Sequence, residues 1–164
     1  MTAPEGDPPS SPPPVGRVIF LGVLLCIPPF FIAAALVLPQ YRDMQLRSHR
    51  VEAPEHLAAI RRGVLEAAES SSSALSLPRC PPELPLGAAT SWTPACLEAY
   101  SVVGFHPQGG ATWCSYVVDA STGKDGALGF RAVAKCDLDG DRHPAVFEAT
   151  REAPPRMLSD PKIF

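Results

Sequence analysis

The stretch Leu128-Gly-Phe-Arg-Ala-Val-Ala-Lys-Cys136 alternates with period two. Leu128, Phe130, Ala132, Ala134 and Cys136 fall on one face, with Arg131 and Lys135 on the other. That is the pattern of a β-strand with one buried side. Downstream, Pro144 to Thr150 repeats it, with Ala145, Phe147 and Ala149 inward and Glu148 outward. Upstream, Thr112 to Asp119 carries Trp113, Tyr116, Val117 and Val118, and the turn residues Ser121 to Gly126 separate it from Leu128. Three strands with one apolar face make a small antiparallel sheet, and such a face needs a cover.

The cover lies earlier in the chain. Tyr41 to Glu69 is rich in Leu, Ala, Arg and Glu, with Leu57, Ile60, Val64, Leu65 and Ala68 at helical spacing. Arg61, Arg62, Glu66 and Glu69 fall on or near the other side. Pro54 is expected to kink this helix or to open a second segment, and Glu52 and Glu55 suit a helix start. Ser70 to Ser73 ends it. Before it, Val18 to Leu38 contains no charged residue or histidine, and at helical rise it spans roughly 30 Å of hydrocarbon. Pro28-Pro29 kinks that run, and Gly22, Ala33, Ala34 and Ala35 are small enough for another helix to approach closely. The run is too long for the apolar core of a usual signal peptide, and bulky Leu25 before Cys26 argues against a lipoprotein signal.

The expected architecture is α+β: a long N-terminal helix, transmembrane then amphipathic, packed on an antiparallel sheet of about three to four strands. Its parts are a disordered Pro-rich tail over 1–17, a transmembrane helix over 18–38, and an amphipathic helix over 39–73. A Pro-rich loop region follows over 74–111, with a short turn or helix near Ala95 to Ser101. The sheet and a C-terminal tail occupy 112–164. Six of the twenty prolines stand before Val15, where no apolar period exists. About 125 residues past the span are enough for one domain and hardly for two.

Net charge is -3, without a basic block, so nucleic acid is not an expected partner. Outside the apolar run stand Cys80, Cys96, Cys114 and Cys136. An even number in a small domain suggests two disulfides, with three possible pairings. Joining Cys80 to Cys96 closes the Pro-rich loop, which leaves Cys114 and Cys136 to pair between strands. With no C-x-x-C element, a zinc site is not expected. The basic residues point the other way on topology. Arg17 stands alone before the run, whereas Arg42, Arg47 and Arg50 follow it, which by the positive-inside rule places the C-terminal part in the cytoplasm.

Asp137, Asp139, Asp141 and Glu148 have the spacing of acidic ligands in a calcium loop. Arg142 replaces the usual Gly after the third Asp, and a tight solvated turn between strands uses the same residues. Both readings stand. His49, His56, His106 and His143 are scattered without a Ser or Cys partner, and Trp92 and Trp113 suit packing. No catalytic residue, cofactor or small-molecule substrate is expected, beyond the calcium reading, and the chain is not expected to be an enzyme.

A long helix, half in a membrane and half covering a small antiparallel sheet, resembles the type IV pilins and pseudopilins. Ala33-Ala-Ala-Leu-Val-Leu-Pro-Gln-Tyr41 resembles the pilin helix as it leaves the membrane, and Arg47-Ser48, Glu52-Ala53 and Leu57-Ala-Ala-Ile60 its periplasmic half. Gly104-Phe-His-Pro-Gln-Gly109 leading to Ser115-Tyr116 is similar to the stretch before the first pilin strand. Ala134-Lys-Cys-Asp-Leu-Asp-Gly-Asp141 is similar to an acidic hairpin of one bacterial pilin group. The match departs from the standard prepilin peptidase site. Arg17 stands where the Gly before the cut belongs, and Gly22 where the mature helix carries Glu. The resemblance implies a structural or assembly protein of a type IV pilus or type II secretion-like machine. It implies an inner-membrane, single-pass placement with the C-terminal domain periplasmic or extracellular. Its partners are then the membrane, other pilin-like subunits and machine proteins. The alternative is a single-pass protein whose extracytoplasmic domain binds calcium or a partner, unrelated to pilus assembly.

Overall fold

A computed structural model describes residues 35–71, 75–122 and 128–164. The chain divides into two compact units, Met1–Arg42 and Asp43–Phe164. Of the first unit, residues 35–42 are described: they are helical, with every side chain exposed. They begin helix α1, residues 35–50. A turn at Val51 separates it from α2, Glu52–Ser71. Pro54 sits in the first turn of α2, where its missing N–H breaks no helical hydrogen bond, and Glu52 and Glu55 complement the helix dipole there.

The second unit follows the order β1 (Leu77–Cys80), β2 (Thr90–Ser91), α3 (Pro94–Ser101), β3 (Ala111–Thr112), β4 (Cys114–Thr122), β5 (Leu128–Cys136), β6 (Ala145–Thr150) and β7 (Arg156–Met157). Five strands make one antiparallel sheet in the order β1-β4-β5-β6-β7, and β2 and β3 form a separate two-stranded ribbon. Thr93 caps α3 by accepting the Cys96 N–H, with Pro94 in the first helical position.

From Phe130 on, the residues read as inward on β5 and β6 are inside, although Val133 and Glu148 on the opposite face are buried too. Phe130, Ala132, Ala134, Cys136, Ala145, Phe147 and Ala149 are buried, and α2 lies against β5, β6 and β4. Its buried stripe is Ala53, Leu57, Ile60 and Val64. Leu65 and Ala68, expected on that stripe, are half-buried. Burying Leu57, Ile60 and Val64 contributes roughly 1.5–3 kcal/mol each. Beside them, Trp92, Tyr100, Phe105 and Tyr116 interlock with ring centroids 4.9 to 6.3 Å apart. The Trp92 N–H donates to Thr112 Oγ1 at 2.9 Å, and Tyr100 Oη to the Pro78 carbonyl at 3.1 Å, so their polar atoms are satisfied inside.

The expected fold is corrected in two respects. The sheet has five strands, because two short edge strands, β1 and β7, flank the three legible ones. Also, no helix among the described residues is long and apolar enough to cross a membrane. Gln40, Arg42, Asp43, Gln45 and Arg47 follow Leu38 within three turns of α1 and make it polar. The rest of the expected span, from Val18 to residue 34, lies outside the described residues, as do the tail over 1–17 and residues 123–126 of the expected turn. The region 74–111 is more ordered than a loop: it holds β1, β2, α3 and the start of β3.

Candidate functional site

Three groups of polar side chains stand out, and each is placed by a different element. The first is the β5–β6 connection. Asp137 closes β5 with no exposed surface, and its two oxygens accept the N–H groups of Gly140 and Arg142, each at 2.8 Å. Asp141 Oδ1 accepts the His143 N–H at 2.7 Å. Gly140 and Arg142 have φ of +76° and +68°, the conformation that bends the chain back into β6. The loop is moored from outside as well, since Gly87 N–H donates to the Asp137 carbonyl at 2.8 Å.

The structure brings together Asp137, Asp139 and Asp141, with one oxygen of each within 4.8 Å of the others. It does not bring Glu148. That carboxylate sits on the outer side of β6, bonded to Arg131 by Oε1 and to Arg156 by Oε2 at 3.2 Å. These two bonds, Arg131 first, hold it below the usual Glu range, although nearly nine-tenths of its side chain is covered. Calcium takes six to eight oxygens. Here three carboxylates converge, of which the buried one already serves the loop's own backbone. The fourth expected ligand is neutralised elsewhere. Asp137 builds the tight turn, and the three aspartate carboxylates converge beside it without Glu148.

The second group is covalent. Cys80 is joined to Cys96 and Cys114 to Cys136. All four are buried. The first bond fastens β1 to α3; the second spans directly opposed residues of β4 and β5. Loops of 16 and 22 residues closed this way are stabilised by roughly 3 kcal/mol each in the chain-entropy account.

The third group joins α2 to β4. Both Glu52 oxygens accept the Trp113 N–H, at 3.1 and 3.3 Å, and Oε1 also accepts from Tyr116 Oη at 2.9 Å. His56, one turn later, places Nδ1 3.0 Å from the same hydroxyl. Burial pushes the Glu52 carboxyl above its ordinary 4.5 against these bonds, and pushes His56 below 6.5. Burial, then the nearby Glu52 charge, drives the Tyr116 hydroxyl well above 10.0, so it stays protonated. The i,i+4 spacing of Glu52 and His56 was the available sign of this group; nothing local announced Tyr116 as its partner.

No protein-family model matches the chain, and comparison with curated proteins and with solved structures finds no similar protein.

Proposed function

We propose that this chain is a pilin-like structural or assembly subunit of a type IV pilus or type II secretion-like machine. Its sheet domain, stapled by two disulfides, works on the periplasmic or extracellular side, where such bonds persist. Its N-terminal helical segment packs against sister subunits or machine proteins. The observation that carries the reading is the exposure of Leu36, Val37, Leu38 and Tyr41, each with more than half of its surface in solvent. Four large apolar side chains within six positions of one helix favour a partner, since each contributes roughly 1.5–3 kcal/mol when buried. A helix backing one face of an antiparallel sheet is compatible with the residues that resemble pilins.

Sedimentation velocity on the wild type and on a Leu36→Asp, Leu38→Asp double variant tests this. The wild type is expected to associate reversibly, and the variant to stay monomeric with unchanged melting of the disulfide-stapled domain. A wild type that remains monomeric at every concentration, or a variant that associates equally, defeats the proposal.

A further inference from the structure

No residue from Arg151 to Phe164 is buried, although this stretch holds β7 and covers the outer edge of β6. Met157, Ile163 and Phe164 rest on the core only in part. The attachments of the stretch are mostly polar. Arg156 pairs with Glu148 at 3.2 Å, beside a ladder of two residue pairs. The Leu158 N–H donates to the Val146 carbonyl at 2.8 Å, and Ser159 Oγ accepts the Val146 N–H at 3.1 Å. At the far end the Arg50 guanidinium donates to the Pro161 and Ile163 carbonyls, at 2.6 and 3.2 Å, and lies over the Phe164 ring at 5.2 Å. A stretch with so little buried apolar surface opens at a fraction of the cost of global unfolding.

The root of this stretch is fixed and its hinge is short. Arg61 Nε and Nη2 donate to the Thr150 and Arg151 carbonyls, both at 2.8 Å. The reversal into β7 is made between Thr150 and Ala153. The Thr150 N–H donates to the Ala153 carbonyl at 3.0 Å, and the Ala153 N–H to Thr150 Oγ1 at 3.1 Å. Pro154 and Pro155 follow. Each proline biases the residue before it towards extended backbone, so Ala153 and Pro154 suit a straightened hinge. Short hinges favour exchange of the segment beyond them between identical chains. Opening bares the edge of β6, where Val146 and Thr150 present N–H groups that another strand must satisfy.

We propose that residues 156–164 are an exchangeable strap: two copies of this chain trade them, and each copy's strap lies along the other's β6. The occupant is a second copy because the contacts depend on particular side chains. Glu148 recognises a guanidinium at the position of Arg156, and the Val146 N–H a hydroxyl at that of Ser159. Arg50 recognises two carbonyls with an aromatic ring beside them. A copy of the same chain repeats every one of these contacts and requires no new one. Arg131, which also holds Glu148, stays with β6 on its own chain. The exchange uses none of the exposed side chains of Leu36, Val37, Leu38 and Tyr41, so it does not depend on the assembly role proposed above.

A charge exchange on the full chain tests it, with Leu36→Asp and Leu38→Asp present throughout to remove association through those side chains. One variant adds Glu148→Arg and the other Arg156→Glu. Alone, each sets like charges between strap and β6, whether the strap is its own or a sister's. Mixed, traded straps meet opposite charges at both edges. Native mass spectrometry is expected to show about fivefold more dimer in the mixture than in either variant alone at equal total concentration. With one variant isotope-labelled, NMR contacts between Phe147 and Met157, opposed in the ladder, are expected to cross from the labelled to the unlabelled chain. A mixture no richer in dimer, or a dimer whose Phe147–Met157 contacts stay within one chain, overturns the exchange. Should Glu148→Arg fail to fold, the same NMR experiment on labelled and unlabelled chains that keep Glu148 and Arg156 decides. Contacts between chains support the exchange, and contacts confined to one chain overturn it.

Discussion

A Cβ placed on Gly63 stands 1.9 Å from the carbonyl oxygen of Val103. The contact is backbone on backbone: the buried side of α2 passes over the chain just after α3, and only a residue without a side chain fits between them. Gly63→Ala is therefore expected to destabilise the fold by about 3 kcal/mol or more, although alanine favours a helix by about 1 kcal/mol over glycine. Urea unfolding measures the loss. A variant as stable as the wild type contradicts the close approach.

The disulfides separate in their effects. Cys114 and Cys136 link adjacent strands that already share a ladder, whereas Cys80 and Cys96 tie the edge strand β1 to α3. Replacing either pair by serine is expected to lower stability by roughly 2–5 kcal/mol. Losing Cys80–Cys96 is expected to expose the β1 amides to hydrogen exchange while the β5 amides stay protected. Equal loss of protection across the sheet runs against that division.

Glu148 supplies an acid-dependent contribution to stability. Its folded value lies below 4.5 because Arg131 and Arg156 bind the ionised form. The contribution is whole above 4.5 and is lost as pH falls from there through the folded value. Glu148→Gln is expected to cost about 1 kcal/mol at neutral pH, and the gap to wild type is expected to close in strong acid. Thermal melts of both proteins across the acid range check this. A constant gap at every pH assigns the loss to packing instead.

The aspartates of the β5–β6 turn are unequal. Asp137 holds two backbone N–H groups while buried, so Asp137→Ala is expected to cost about 2 kcal/mol or more. Asp139→Asn is expected to change stability by less than about 0.5 kcal/mol, since that side chain makes one long contact, 3.4 Å to the Asp141 N–H. Calcium or a chelator is expected to leave the melting temperature where it was. A calcium-dependent rise abolished by Asp139→Asn points to an ion on these carboxylates.

The parts of the fold that were legible are those with a repeat of their own. Leu57, Ile60 and Val64 mark a helix face, and Phe130, Ala132 and Ala134 a strand face, because the period of the side chains is the period of the backbone. β1 and β7 have no such signal. β1 is four residues long and contains Pro78, tolerated where a strand lies at a sheet edge. β7 has two residues. Each exists because β4 or β6 offers it an unpaired row of backbone groups. The charge pattern hid its partners in a related way: Glu148, at calcium-loop spacing, stands in the folded chain between Arg131 on β5 and Arg156 on β7.

By itself the sequence determined the helix that covers, the three central strands it covers, the turn between β5 and β6 and the presence of four cysteines apt for bonding. All of these are encoded within a few residues of one another. Tertiary structure alone decided which cysteine meets which, that Gly63 passes over Val103, that Glu148 belongs to two arginines, and that Glu52 reaches Tyr116 across 64 positions. Those pairings depend on strand register and on where the helix lands on the sheet, and neither is set until the apolar faces have packed.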